Sequence, residues 1–489
     1  MAAIKEPVRL DSGHVTGAPG RATDTQTFKG IPFAAPPVGD LRWRPPQPVS
    51  HWDGVRKADA LGPVCMQNGP GGGGAKPSED CLYLNVWTAA NSASDKRPVM
   101  VWIYGGGFTN GSASQPDYDG ENLAKKGVVV VTFNYRLGAF GFFAHPELTK
   151  ESDRRGAGNF GMLDAIAALQ WVQKNIAAFG GDPKRVTIFG ESAGAIMVAD
   201  LMTSPQAKGL FQRAIGESGS WSINTTAGRL MSLAEAEQAG VKYAEALGAK
   251  SLAELRAQPT DAVLKNVRGT GPVVDGWILP EDPGTAFAEG KQMQIPILVG
   301  SNLDEGTFFL QPTTAEKYLA QSRSRYGDLA GEYLKLYPAG SDDEANASQL
   351  RDFRDQMAWV MRNWARLQTT TGKSKAYVYY FTHQPPASAQ GRGRGATHTA
   401  EIPYVFQNER NRPWTDVDRQ ISDLMSSYWI NFAATGDPNG KNLPKWPAWD
   451  PRHSTNPMVF ADKVEVGPGL GAAQIEFYQR VYDQKRAVR

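Results

Sequence analysis

The 489-residue chain has only two cysteines and six histidines, and its charges nearly cancel, with Lys+Arg 52 against Asp+Glu 50 and a formal charge of +2. Each shortage excludes something. Balanced charge removes the electrostatic footprint that nucleic acid or an anionic membrane surface requires, which leaves a small molecule as the expected partner. No apolar run approaches the ~20 residues of a membrane-spanning helix, although 41% of the residues are hydrophobic. The opening Met1-Ala2-Ala3-Ile4-Lys5-Glu6-Pro7 lacks the apolar stretch of a signal peptide and leaves localisation open. Cys65 and Cys81 lie close in sequence with no competitor. That favours a disulfide and, with it, a secreted or periplasmic setting, whereas free thiols would favour the cytoplasm. Long linkers, charge blocks and internal repeats are missing too. The expectation is one large domain over residues 1–489, with helical insertions around 221–290 and 311–372, rather than the ~3 domains that length alone implies. A monomer is compatible with this composition.

What is present centres on Arg185-Val186-Thr187-Ile188-Phe189-Gly190-Glu191-Ser192-Ala193-Gly194-Ala195. The β-branched and aromatic residues 186–189 predict a strand, and the apolar-rich Ala193 to Met202 predicts a helix, so Ser192 falls on the sharp turn between them. This is a G-x-S-x-G nucleophile elbow, which lifts a serine hydroxyl clear of a sheet at the positive end of a helix. Upstream, Pro98 to Tyr104 and Val128 to Tyr135 read as strands buried on both faces, and residues 161–178 as a helix closed by Gly180-Gly181-Asp182-Pro183. Buried strands alternating with helices predict an α/β fold with a central, mainly parallel sheet flanked by helices, its active site at the carboxyl ends of strands. Downstream, Ser232 to Glu235 and Ser251 to Glu254 match capping boxes, and residues 295–300 and 376–381 return to strand. Residues 315–367 and 417–432 are predicted helical, the latter stopped by Gly436-Asp437-Pro438.

A serine hydroxyl needs a base to take its proton and an acid to orient that base, and elbow enzymes order them Ser, acid, His. His383, His398 and His453 follow Ser192. His398, after the Gly391-to-Gly395 loop, stands where the base belongs, with His383 next. The acid is expected just past the strand at 295–300, where Asp304 and Glu305 are adjacent and spacing does not separate them. Tyr104-Gly105-Gly106-Gly107-Phe108 follows a buried strand and offers backbone N–H groups to an oxyanion, together with that of Ala193. Phe108, Trp221 and Phe308 neighbour these motifs and are candidates for an apolar substrate pocket. Nothing in the motifs calls for a metal or an organic cofactor.

Several long stretches occur together in one order: Phe28-Lys29-Gly30-Ile31-Pro32-Phe33-Ala34, Glu79-Asp80-Cys81-Leu82-Tyr83-Leu84-Asn85, Trp102 to Phe108, and Phe179-Gly180-Gly181-Asp182-Pro183 before the elbow. With them the chain resembles the type-B carboxylesterase/lipase family, the cholinesterase-like branch of the α/β-hydrolases, over nearly its whole length. The resemblance implies an α/β-hydrolase fold whose helical insertions form a cap or regulatory region. It implies Ser192 as nucleophile, Glu305 rather than Asp304 as acid, His398 as base, an oxyanion hole at Gly106, Gly107 and Ala193, and pairing of Cys65 with Cys81. The implied activity is hydrolysis of small to medium acyl or aromatic esters through an acyl-enzyme. The alternatives are carbamate, amide or specialised aromatic-ester hydrolysis on the same residues. A non-catalytic adhesion role, which some relatives have, is disfavoured by the presence of all three residues. The later disulfides of animal members are absent, which makes the chain more like the family's bacterial esterases.

Overall fold

The computed structural model describes residues 4–69, 76–154, 156–221, 229–266, 269, 271–387, 395–450 and 456–487. The earlier reading of His453 and the loop from 391 to 394 lies outside those residues. Among the described residues the central sheet has eleven strands. They are β1 (Ala18–Pro19), β2 (Gln26–Pro32), β3 (Tyr83–Thr88), β4 (Arg97–Ile103), β5 (Val129–Phe133), β6 (Gly181–Glu191), β7 (Arg213–Glu217), β8 (Ile297–Asn302), β9 (Ala376–Phe381), β10 (Met458–Phe460) and β11 (Val464–Val466). Their spatial order is β11-β10-β9-β8-β7-β6-β4-β5-β3-β2-β1. From β5 through β10 every pairing is parallel, and the antiparallel pairs sit at the two edges.

The physical reason is legible in the strands themselves. Every residue of β5 and β8 is buried, so both faces need covering, and helices between successive strands supply the cover. Helix α1 (Phe160–Asn175) leads towards β6 and α2 (Ala193–Leu201) follows it. α1 ends earlier than its composition predicts: at Ile176 the chain tightens into a 3-10 turn, which Gly180 closes at φ 78°.

The insertion that follows opens with α3 (Leu233–Ala246), whose Ser232 and Glu235 form the expected reciprocal capping box. At Ser251 only half of the box exists. Its hydroxyl accepts the Glu254 N–H, but Glu254 Oε2 takes the N–H of Lys250. Arg42 ties this insertion to the body by donating to the carbonyls of Arg256 and Gln258 while pairing with Glu79. Beyond β8 come a short turn of helix, α4 (Gly306–Phe309), and the long α5 (Asp342–Thr370). Then α6 (Asp416–Thr435) ends at left-handed Gly436, and α7 (Ala472–Ala487) closes the described chain. One buried apolar cluster runs from Ile4 to Tyr478, around the sheet.

Candidate active site

From Val186 to Met202 every residue is buried except Ser192. Its backbone is held at φ 55°, ψ −122°, a region L-residues avoid at a cost of about 1–3 kcal/mol. The neighbours impose it: the Ser192 N–H donates to the Glu217 carbonyl on β7 at 2.8 Å, and its own carbonyl accepts from Ile196 at 3.0 Å. The flanking glycines answer to backbone rather than to substrate. A Cβ on Gly194 would stand 1.9 Å from the Ile103 carbonyl oxygen, and one on Gly190 would stand 2.6 Å from the same atom.

The structure brings His398 and Glu305 together. Nδ1 of His398 is 2.6 Å from Glu305 Oε2, with Glu305 fully buried and His398 3% exposed. The other oxygen of Glu305 accepts the Asn302 N–H at 2.9 Å, so the end of β8 fixes the carboxylate. Asp304 instead accepts the Ala396 N–H at 2.8 Å and pins the loop that carries His398. His383 is engaged elsewhere, between Asp418 at 2.8 Å and Asp462 at 2.7 Å.

Sequence reasoning missed what faces the other side of the imidazole. Glu191, the variable residue of the elbow motif, places Oε1 3.0 Å from His398 Nε2, an ion-pair contact without hydrogen-bond alignment. Burial pulls the imidazole down, but Glu191 and Glu305 outweigh it and hold it well above its ordinary value. Behind this pair lie further buried acids. Burial first, and then the charge on Glu191, pushes Glu401 up to about 8 although Asn302 donates to it. Burial and Glu401 together raise Glu217 well above the carboxylate range, its contact with Trp429 notwithstanding. The only signal available in the sequence was the adjacency of Glu191 to Ser192 and the position of Glu401 three residues after His398.

The Gly105-to-Phe108 turn leaves the end of β4 with Gly106 at φ 109°, Gly107 at φ 62° and Phe108 at φ 60°. Among the described residues neither Gly106 nor Gly107 donates its N–H. Ala193 opens the first turn of α2, whose N–H groups have no partner within the helix. A Cβ on Gly105 would come 2.9 Å from Ser192 Cβ, so this turn lies directly against the nucleophile.

The aromatic candidates separate. Phe308 is 52% exposed and 5.8 Å from the His398 ring. Phe309, which the sequence reading did not single out, is 45% exposed and closer, at 4.7 Å. Phe108 packs on Phe142, and Trp221 stacks flat on Phe287 at 4.1 Å inside the core. Cys65 and Cys81 are joined by a disulfide. Among the described residues no group of acidic, histidine and cysteine side chains is arranged to hold a metal ion, and no helix is long and apolar enough to cross a membrane.

The carboxylesterase family model matches residues 5–478. The chain is 41% identical over 495 residues to the fumonisin B1 esterase of Sphingopyxis macrogoltabida, covering 94% of this chain and 87% of that protein. It is 37% identical over 459 residues to the para-nitrobenzyl esterase of Bacillus subtilis, covering 86% and 88%. A solved structure of a PNB esterase superimposes with a TM-score of 0.83 at 34% identity, over 96% of this chain and 98% of the other. Family match, relatives and α/β-hydrolase architecture agree, and the chain belongs to the carboxylesterase family as a carboxylic ester hydrolase.

Proposed function

We propose that the ester bond is cleaved by Ser192, with His398 as its base and Glu305 as the acid that orients and charge-balances the imidazole. The observation that carries this reading is the 2.6 Å contact between buried Glu305 and His398, whose Nε2 meets Glu191, the residue just before a strained serine that alone breaks the surface of its segment. In acylation Ser192 Oγ attacks the carbonyl carbon while His398 Nε2 accepts the hydroxyl proton. The oxyanion takes N–H donors from Gly106, Gly107 and Ala193. Collapse breaks the bond to the alkoxy oxygen, which leaves as alcohol with the proton from His398. Water then repeats the sequence on the acyl-enzyme and releases the acid. For this to begin, Nε2 must lose its proton and exchange Glu191 for Ser192 Oγ.

The names of the relatives span fumonisin B1 and para-nitrobenzyl esters, so membership fixes the bond and not the groups beside it. The exposed Phe308 and Phe309 rings next to His398 favour esters with an aromatic or apolar substituent over small polar ones. Residues 192, 305 and 398 are distant in sequence, which supports residues 1–489 acting as one catalytic unit with insertions around 221–290 and 311–372. Hydrolysis of p-nitrophenyl butyrate, measured beside fluorophosphonate labelling by intact mass, tests the serine. Both should vanish in Ser192→Ala, and labelling that persists in the variant refutes the assignment.

A further inference from the structure

On the far side of β8 from Asn302, a cavity of about 370 Å³ opens between α5, the outer face of β9 and the segment at 456–475. That volume falls in the ~300–1,000 Å³ range of small-molecule sites. Its walls are mostly apolar, with Leu303, Ala358, Met361, Val378, Leu470 and Ile475 among them. Strand alternation explains the separation from the catalytic side: Ser301 and Leu303 face the cavity, whereas Asn302 between them serves Glu305 and Glu401.

The charged groups in this wall are not equivalent. Arg354 pairs with Asp355 at 2.7 Å, and the other oxygen of Asp355 accepts the Tyr337 hydroxyl at 2.9 Å, so that acid and that base satisfy each other. Arg362 has no such partner. Its guanidinium lies over the Trp449 ring, 4.9 Å from the centroid, and among the described residues no carboxylate stands within ion-pair distance of it. Burial and the like charge of Arg366 on the same helix both act against its cationic form. A fixed, partly buried cation facing an apolar cavity is a mismatch that an anionic head group with an apolar body would remove.

We infer that this cavity is a second, non-catalytic binding site for an amphiphilic carboxylate, with its head group on Arg362 and its apolar body along α5 and β9. The ligand chemistry is a carboxylate on a chain or ring; a free fatty acid and the acid released by ester cleavage share it. Asp355 does not contradict this, being neutralised by Arg354.

Calorimetric titration of the full chain with octanoate, and in parallel with octanol, tests the site. Octanoate should bind saturably at one site per chain, with octanol weaker by about tenfold or more, as expected for loss of a charge-assisted contact. Arg362→Gln should weaken octanoate by a similar factor, and Ala358→Trp, which fills the cavity, should abolish binding. Both variants should keep p-nitrophenyl butyrate hydrolysis, which certifies their fold, and either one alone suffices for the reading. Octanoate that does not saturate, that binds no better than octanol, or that binds equally to a folded variant overturns the proposal.

Discussion

The choice between Asp304 and Glu305 turns on one atom's reach. Both stand in one loop at the end of β8, and only the longer side chain arrives at His398 Nδ1, while the shorter one closes onto the Ala396 N–H. Glu305→Gln should therefore lower kcat/KM for p-nitrophenyl butyrate by about 10³-fold or more. Asp304→Asn, which keeps an acceptor for Ala396, should change it little; equal losses would remove the distinction. Glu191 makes a different claim. Its carboxylate is the largest influence holding the His398 proton in place, after burial, which acts the other way. With His398 as the proposed base, the reactive form is the neutral imidazole, so kcat/KM should fall as pH drops through a value above the ordinary histidine range. Glu191→Gln removes the negative charge, and the acid limb of the pH profile should move to lower pH. A limb that stays in place, or moves towards alkali, would show that Glu191 does not act on His398.

At the scale of elements, what the sequence revealed was local and periodic. The elbow strand and helix, the buried β4 and β5 and the capping box at Ser232 all follow from patterns a few residues long. What it hid was produced by packing between distant segments. The engagement of His383 by Asp418 and Asp462, the burial of Trp221 on Phe287, and the Glu191–His398 contact each join residues that no spacing rule relates. The short helix α4 shows both cases at once. The placing of Glu305 just past β8 was legible from the strand and its loop, but that a turn of helix follows, and which of its two aromatic rings lies nearer to His398, depends on how it packs beside α5, where Phe353 meets Phe309 at 5.3 Å. Phe309→Ala removes a half-exposed apolar surface beside the imidazole. It should lower kcat/KM for a naphthyl ester by about tenfold, the worth of ~1.4 kcal/mol of apolar contact, while leaving methyl acetate hydrolysis nearly unchanged. Equal losses on both esters would assign Phe309 to holding the imidazole instead of the substrate.

For the whole molecule, the carboxylates enclosed behind the site set a pH dependence that the nearly neutral net charge conceals. Glu401, Glu217 and Asp200 are all buried, and burial raises each of them above the usual carboxylate range. Glu401 Oε1, Glu217 Oε2 and both oxygens of Asp200 have no partner among the described residues, an arrangement far better suited to neutral acids than to anions. A group whose folded value lies above its unfolded one binds a proton on folding. Its contribution is complete below the unfolded value of 4.5 and is lost as pH rises through the folded value, which for Glu401 is about 8. The folded state should thus lose stability as pH rises from about 4.5 to about 8, at up to about 1.4 kcal/mol per pH unit for one such group, and level off above that. Glutamine is close in shape to the neutral acid and keeps an acceptor for Asn302, so Glu401→Gln should flatten the fall of Tm between pH 5 and 8 without lowering Tm at pH 5. The Tm of the two proteins, followed across that range at fixed ionic strength, decides the matter. A variant whose Tm declines as steeply as that of the parent would mean that Glu401 is already ionised in the folded protein, and that the proton it was assigned resides on its neighbours.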